Sequence, residues 1–168
     1  MDKQTRQIVH AAMIAALYVV LTHLQNIILP GSATWAIQCR LSETLCVLAF
    51  FTPAAIPGLA VGCLVFNITY AGALPLDFLV GTLASFTAAW GMWLSRRVTV
   101  KGLPLLGLTM PALTNAFLVG WELTAFIGGG FWINAMYVAI GELIVLFTFG
   151  VFLYRVMKEQ HLDSRMFG

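Results

Sequence analysis

Charge is what this chain has least of. Only 10% of its 168 residues are Asp, Glu, Lys or Arg, against 60% hydrophobic, and the mean hydropathy is +0.90. A water-soluble domain needs polar side chains over its outside, so the solvent of this chain is mostly lipid. Catalytic signatures are missing too. No GxxxxGK[ST] loop occurs, and Gly128-Gly129-Gly130 has no lysine after it, so the chain does not itself hydrolyse ATP. Without a nucleophile elbow or HExxH, an enzyme reading rests on scattered acids and histidines. Cysteine is sparse: Cys39, Cys46 and Cys63 show neither CxxC spacing nor a nearby histidine pair, which excludes the usual metal sites and leaves small buried hydrophobes. No alternating strand pattern competes with helix.

What is present is apolar length. The chain has room for about five to seven stretches of ~20 residues, the length that spans a bilayer core, and reads as one membrane domain, residues 1–168. The net charge of +2 comes from short basic clusters between apolar runs, which report topology and not nucleic-acid binding. Lys3, Arg6, Arg96, Arg97, Lys101, Arg155, Lys158 and Arg165 belong to them, and only Arg40 stands apart. With those eight on the cytoplasmic side, both termini are inside. The start MDKQTR is basic like a signal peptide, but the apolar run behind it is too long for an h-region, so it is expected to stay as a first helix.

Six segments follow. The first covers residues 7–28 and ends at Leu29-Pro30-Gly31. Ala11, Ala12, Ala15 and Ala16 give it two adjacent small-xxx-small registers, a flat face for a sister helix or for a separate subunit. His23, Gln25 and Asn26 gather at its outer end, facing a site or the wet interface. Residues 31–38 form an outer loop with Trp35, a candidate lid. Segments two and three, residues 35–51 and 53–70, are cramped at ~25 to 27 Å each, and a re-entrant hairpin is an alternative to two crossings. The fourth, residues 77–94, starts with Asp77 as an N-cap. The fifth, residues 103–126, is kinked by Pro111. The sixth covers residues 131–154, and the polar tail after it is expected to be only partly ordered. The expected fold is an all-α integral membrane protein, a bundle of six transmembrane helices with cytoplasmic N and C termini.

The chemistry lies in the rare acids. Glu43, Asp77, Glu122 and Glu142 fall away from the termini. A carboxylate at mid-helix costs about 2.5 to 3.5 kcal/mol to insert, so Glu142 needs a partner or a function. On antiparallel fifth and sixth helices Asn115 falls near the depth of Glu142, and Glu122 near that of Asn134. Trp121, Trp132 and Tyr137 occupy the outer half. Together these describe an aromatic, amide and carboxylate pocket suited to a flat polar heterocycle: a carboxylate accepts two parallel hydrogens from an amidine edge, amides pair with ring N and O atoms, and indoles stack.

RLSETLCVLAFFTPAAIPGLAVGCLVFN, then LPLDFLVGTLAS, NAFLVGWEL and FWINAMYVAIGELIV, resemble in order the QueT family, the queuosine-precursor S components (substrate-binding subunits) of energy-coupling factor transporters. The resemblance runs over about residues 7–153. It implies six transmembrane helices in the cell membrane, a substrate site near the outer face, and uptake of 7-deazaguanines such as queuine or preQ1. The implied partners are a transmembrane coupling protein and two cytoplasmic ATPases, which alone would use ATP; no cofactor is implied for this chain. Docking would run through Ala11, Ala12, Ala15 and Ala16, with the subunit toppling in the bilayer to deliver substrate. No ligand motif carries over residue by residue, so the site remains a reading of side-chain chemistry. Glu122 and Glu142 read the amidine edge or a cationic aminomethyl arm, Asn67, Asn115 and Asn134 orient the ring, Trp132 stacks, and Tyr137 lines the pocket. Arg40 and Glu43 either pair beneath the lid or fix helix two. Competing readings are an S component for riboflavin or thiamine, a small intramembrane enzyme using Glu142 and His23, and a plain assembly protein.

Overall fold

The computed structural model describes residues 2–30 and 40–167. Trp35, the expected lid and Cys39 lie outside the described residues. Helix α1, Lys3–Ile28, is followed by a 3₁₀ helix, Leu41–Phe50, and then by α2, Ala55–Thr69, α3, Asp77–Ser95, and a single turn α4, Leu105–Leu108. Helix α5, Met110–Phe126, leads to α6, Phe131–Val145, which continues through a π turn, Leu146–Gly150, into α7, Val151–Glu159; α8, Leu162–Phe167, closes the chain. Among the described residues there is no strand, only an isolated bridge between Val100 and Leu103.

Among the described residues, three helical stretches are long and apolar enough to cross a membrane: Lys3–Ile28, Asp77–Ser95 and Phe131–Glu159. Their outward faces are apolar, as lipid requires: Ile8, Leu17, Val20, Leu24 and Ile27 of α1 are all exposed. The cramped second segment is not an α-helix. Ten residues of 3₁₀ helix rise ~20 Å where an α-helix would rise ~15 Å, so the tighter winding stretches a short sequence through the bundle. This helix has no lipid face of its own: Ser42, Glu43 and the six residues Leu45 to Phe50 are all buried.

Proline placement accounts for the starts of the next elements. Pro57 lies in the first turn of α2 and Pro111 in that of α5, where amides have no helical acceptor to lose. The expected kink at Pro111 is a full break: the helix stops at Thr109 and restarts. Between α3 and α4, Lys101 at φ 51° and Gly102 at φ 78° make the reversal. Asp77 is not the N-cap; Leu76 holds that position and Asp77 is the first helical residue. The tail is helical rather than loosely ordered. There Lys158 Nζ donates to Asp163 Oδ2 at 3.0 Å, and that hydrogen bond holds the Asp163 carboxyl below its usual range.

Small residues set the helix spacing. A Cβ on Gly62 would meet Tyr18 Cβ at 2.8 Å and the Ala15 carbonyl oxygen at 3.0 Å, and one on Gly58 would meet the Ala11 carbonyl oxygen at 2.8 Å. The Ala11/Ala15 register of α1 therefore packs on its sister helix α2, while Ala12 and Ala16 remain exposed. On the other side of the molecule, a Cβ on Gly120 of α5 would lie 2.9 Å from Ala135 Cα of α6. Two apolar clusters result. One gathers Ile14, Tyr18, Leu59, Phe66 and Met92 around the 3₁₀ helix; the other joins Val80, Ala84, Val119, Leu123 and Val138 between α3, α5 and α6. Cys46 and Cys63 are fully buried in the first, as small hydrophobes.

Gly120→Val must push α5 off α6, and it is expected to cost about 1 to 3 kcal/mol. A thermal unfolding curve in detergent that matched the wild type would refute this close contact.

Candidate functional site

Five elements converge on a buried polar centre. Arg40, in extended backbone just before the 3₁₀ helix, is 4% exposed, and Glu43, one turn in, is 1% exposed. Asn67 comes from the last turn of α2, Asp77 from the start of α3, Asn115 and Glu122 from α5 and Glu142 from α6; all are buried, Glu122 completely.

Glu43 is held from two sides. Tyr18 of α1 donates its hydroxyl to Glu43 Oε1 at 2.7 Å, and Cys46 donates its thiol to Oε2 at 3.0 Å. The second contact follows from the winding: in a 3₁₀ helix residues three apart eclipse, which sets Cys46 directly over Glu43. Glu142 Oε1 accepts from Asn115 Nδ2 at 2.9 Å. Asn67 Nδ2 donates to the Asp77 carbonyl at 2.7 Å, and Asp77 Oδ2 accepts the amide of Leu74 at 2.6 Å. Gly81 makes room for that amide, since a Cβ there would meet Asn67 Nδ2 at 2.7 Å. The Arg40 guanidinium lies in the field of Glu43, Asp77, Glu122 and Glu142 alike, and the Glu122 carboxyl is in side-chain hydrogen-bond contact with that of Asp77. Four carboxyl groups thus face one guanidinium.

Several atoms here accept no donor among the described residues: both oxygens of Glu122, whose carboxyl meets that of Asp77, Oε2 of Glu142 and Oδ1 of Asn67, while the hydroxyls of Ser42 and Thr44 on the 3₁₀ helix are unpaired as well. Buried polar atoms are paired in the great majority of cases, so such orphans mark a functional position. With the carboxyls ionised, the four carboxyl and amide oxygens are acceptors. The centre is equipped to receive N–H or O–H donors and, with its excess of carboxyls, a positively charged group.

The structure brings together Arg40, Glu43, Asn67, Asn115, Glu122 and Glu142, and it keeps the expected aromatics apart from them. Trp132 is 75% exposed, Trp121 53% and Tyr137 39%. At 100° per residue the inward face of α6 is set by the buried Ala135, Val138, Glu142 and Val145, and Trp132 and Tyr137 fall well off it. Asn134 lies at the edge of that face, where its Nδ2 donates to Thr124 Oγ1 and to the Gly128 carbonyl, both at 3.0 Å; it fastens the α5–α6 connection. Of the cluster on α1, Gln25 Oε1 accepts the Leu41 amide at 2.7 Å and His23 meets Thr69 Oγ1 at 3.2 Å, so both tie α1 to its neighbours. Tyr18 and Ser85 were not singled out by the sequence reading. Tyr18 had a signal, as the one polar group in IAALYVVL; Ser85, buried beside Cys63, had none.

The family model described as QueT transporter matches residues 8–159. The chain belongs to the QueT transporter family. No curated protein and no solved structure matches it. Family membership makes the chain a membrane transport protein. The fully buried hydroxyl of Tyr18 is part of the frame of the polar centre.

Tyr18→Phe removes the donor to Glu43 Oε1 and leaves a buried carboxyl oxygen unpaired, a loss of about 1 to 3 kcal/mol. The melting temperature of the variant in detergent should fall accordingly; an unchanged value would show that Glu43 does not depend on this bond.

Proposed function

We propose that this chain is the substrate-binding S component of an energy-coupling factor importer, and that it captures a queuosine precursor, a 7-deazaguanine such as queuine or preQ1, near the outer face of the cell membrane. The observation that carries the reading is the set of orphan carboxyl and amide oxygens buried at the centre of a QueT transporter. A deazaguanine offers an amidine edge of two parallel N–H groups and, in the aminomethyl precursor, an ammonium; both are donors, and the ammonium is also a cation. Riboflavin, whose ring edge is dominated by acceptors, suits these atoms poorly. The chain itself uses no cofactor and catalyses no reaction in this scheme; ATP is consumed by two cytoplasmic ATPases acting through a transmembrane coupling subunit.

The proposed topology is six crossings with both termini cytoplasmic. The short 3₁₀ helix and α2 act as two crossings of a bundle whose centre is polar. The proposed docking surface for the coupling subunit is the cytoplasmic half of α1. Ala12 and Ala16 are exposed there, and beside them an apolar groove of about 560 Å³ opens between α1 and the start of α2, lined by Ala11, Ala12, Ala15, Pro53, Gly58 and Val61 among others. Small residues let a partner's backbone approach closely.

Calorimetry of the purified chain in detergent against queuine, preQ1, guanine and riboflavin tests the cargo: the deazaguanines are expected to bind and riboflavin is not. Binding of riboflavin, or of none of the four, overturns the substrate assignment. For the partner, Ala12→Leu and Ala16→Leu are expected to abolish co-purification with the coupling subunit while ligand affinity stays within about twofold. Retained assembly would sink the docking surface.

A further inference from the structure

The connection between α3 and α4 has a composition found nowhere else in the bundle. From Phe78 to Trp121 the chain carries three cations, Arg96, Arg97 and Lys101, and no acid. Among the described residues none of the three enters an ion pair, the one such pair being Lys158 with Asp163. Between these cations Val98 and Val100 are exposed, as is Leu94 just before them. Helix α3 is long and apolar enough to cross a membrane, so the connection begins where the hydrocarbon of a bilayer ends. Asp77 of the polar centre starts the same helix, and its 19 residues put Arg96 about 28 Å away along the axis.

The segment is well built. Arg96 closes α3: its Nη1 donates to the Trp93 carbonyl, and its guanidinium carbon lies 3.6 Å from the centroid of the Trp93 ring. Stacking on the indole fixes the plane of the guanidinium, whose other N–H groups form a fork suited to phosphate oxygens. Further on, Val100 and Leu103 exchange backbone hydrogen bonds at 2.8 and 3.1 Å around Lys101 at φ 51° and Gly102 at φ 78°, the paired positive φ values of a type I′ turn. Asn, Asp or Gly is preferred at the first of these places, and here a lysine holds it, so a charge stands at the tip of a closed turn. Leu103 packs against the apolar cluster around the 3₁₀ helix, which ties the turn to the bundle. Trp90 and Trp93 lie on the last turns of α3, where a headgroup region favours indoles.

Cations without acidic partners, set among exposed valines and indoles, are the composition of a segment that lies in the membrane interface. A soluble anion would use the charges and leave the apolar side chains without a role. We propose that the α3–α4 connection is a binding site for an anionic phospholipid, with the headgroup phosphate held by Arg96, Arg97 and Lys101 and the acyl chains lying along Trp90 and Leu94. The site does not depend on which cargo the polar centre takes.

The test titrates the full chain in detergent with phosphatidylglycerol and with phosphatidylcholine of the same acyl chains, counting bound lipid by native mass spectrometry. The wild type is expected to bind phosphatidylglycerol about tenfold or more tightly, since each cation near an anionic headgroup is worth about fivefold. Arg97→Gln and Lys101→Asn should each lower phosphatidylglycerol affinity by about fivefold and leave phosphatidylcholine within about twofold; asparagine keeps the type I′ turn, so its effect reads the charge alone. Lys3→Gln removes a cation from a different helix and should leave both lipids within about twofold. Equal wild-type affinity for the two lipids would overturn the proposal. So would unchanged affinity in Arg97→Gln and Lys101→Asn, or an equal loss in Lys3→Gln, which would mean that net charge alone counts. Displacement of phosphatidylglycerol by inorganic phosphate beyond that by chloride at the same ionic strength would assign the site to a soluble anion and overturn the lipid.

Discussion

The constraint on which this structure depends is the cost of putting carboxyl groups inside a bundle surrounded by lipid. Each of Glu43, Asp77, Glu122 and Glu142 is almost fully withdrawn from solvent, and an uncompensated charge there is far more expensive than any packing contact can offset. The architecture is arranged around sharing that cost. Arg40 is placed where it acts on all four acids, Tyr18 and Cys46 occupy the oxygens of Glu43, and Asn115 occupies one oxygen of Glu142. Compensation stops short at Glu122 and at the second oxygen of Glu142. Any group that supplied the missing donors there would gain what the protein alone forgoes.

Irregular backbone is used where the acids need it. The 3₁₀ winding of Leu41–Phe50 stacks Cys46 on Glu43, and the π turn Leu146–Gly150 packs against the same helix, where a Cβ on Gly150 would lie 3.3 Å from Val47 Cγ2. The 3₁₀ helix is enclosed by its neighbours, which keeps its irregular backbone from lipid, whereas Phe147 and Phe149 of the π turn lie on the outer surface.

Much of this was legible from residue types alone. The all-helical, apolar character of the chain and the proline and glycine limits of its segments follow from hydropathy, and the burial of the mid-chain acids from how seldom a membrane helix tolerates Glu. Of the amides expected beside those acids, Asn67 and Asn115 are buried with them, and Asn134 fastens the α5–α6 connection instead. What could not be read was rotation and winding. Hydropathy is the same for a 3₁₀ and an α-helix, so residues 41–50 looked merely short. Trp132 and Tyr137 are close to Glu142 in sequence, but the α6 face is chosen by the close packing of Gly120 on Ala135, a fact of two helices together. The alanines of α1 pose the same problem: four small residues in two registers could serve one surface or two, and only the position of α2 divides them.

That division has a mechanical consequence. Helix α1 carries Ala12 and Ala16 on its free side, Ala11 and Ala15 on its seam with α2, and, barely a turn further along, the Tyr18 hydroxyl bonded to Glu43. A helix of this length moves as a stiff rod, so its tilt cannot change on the outside while staying fixed within. A tilt of α1 imposed on the alanine side would strain the Tyr18–Glu43 bond, so one helix joins the surface of the bundle to its carboxyl centre.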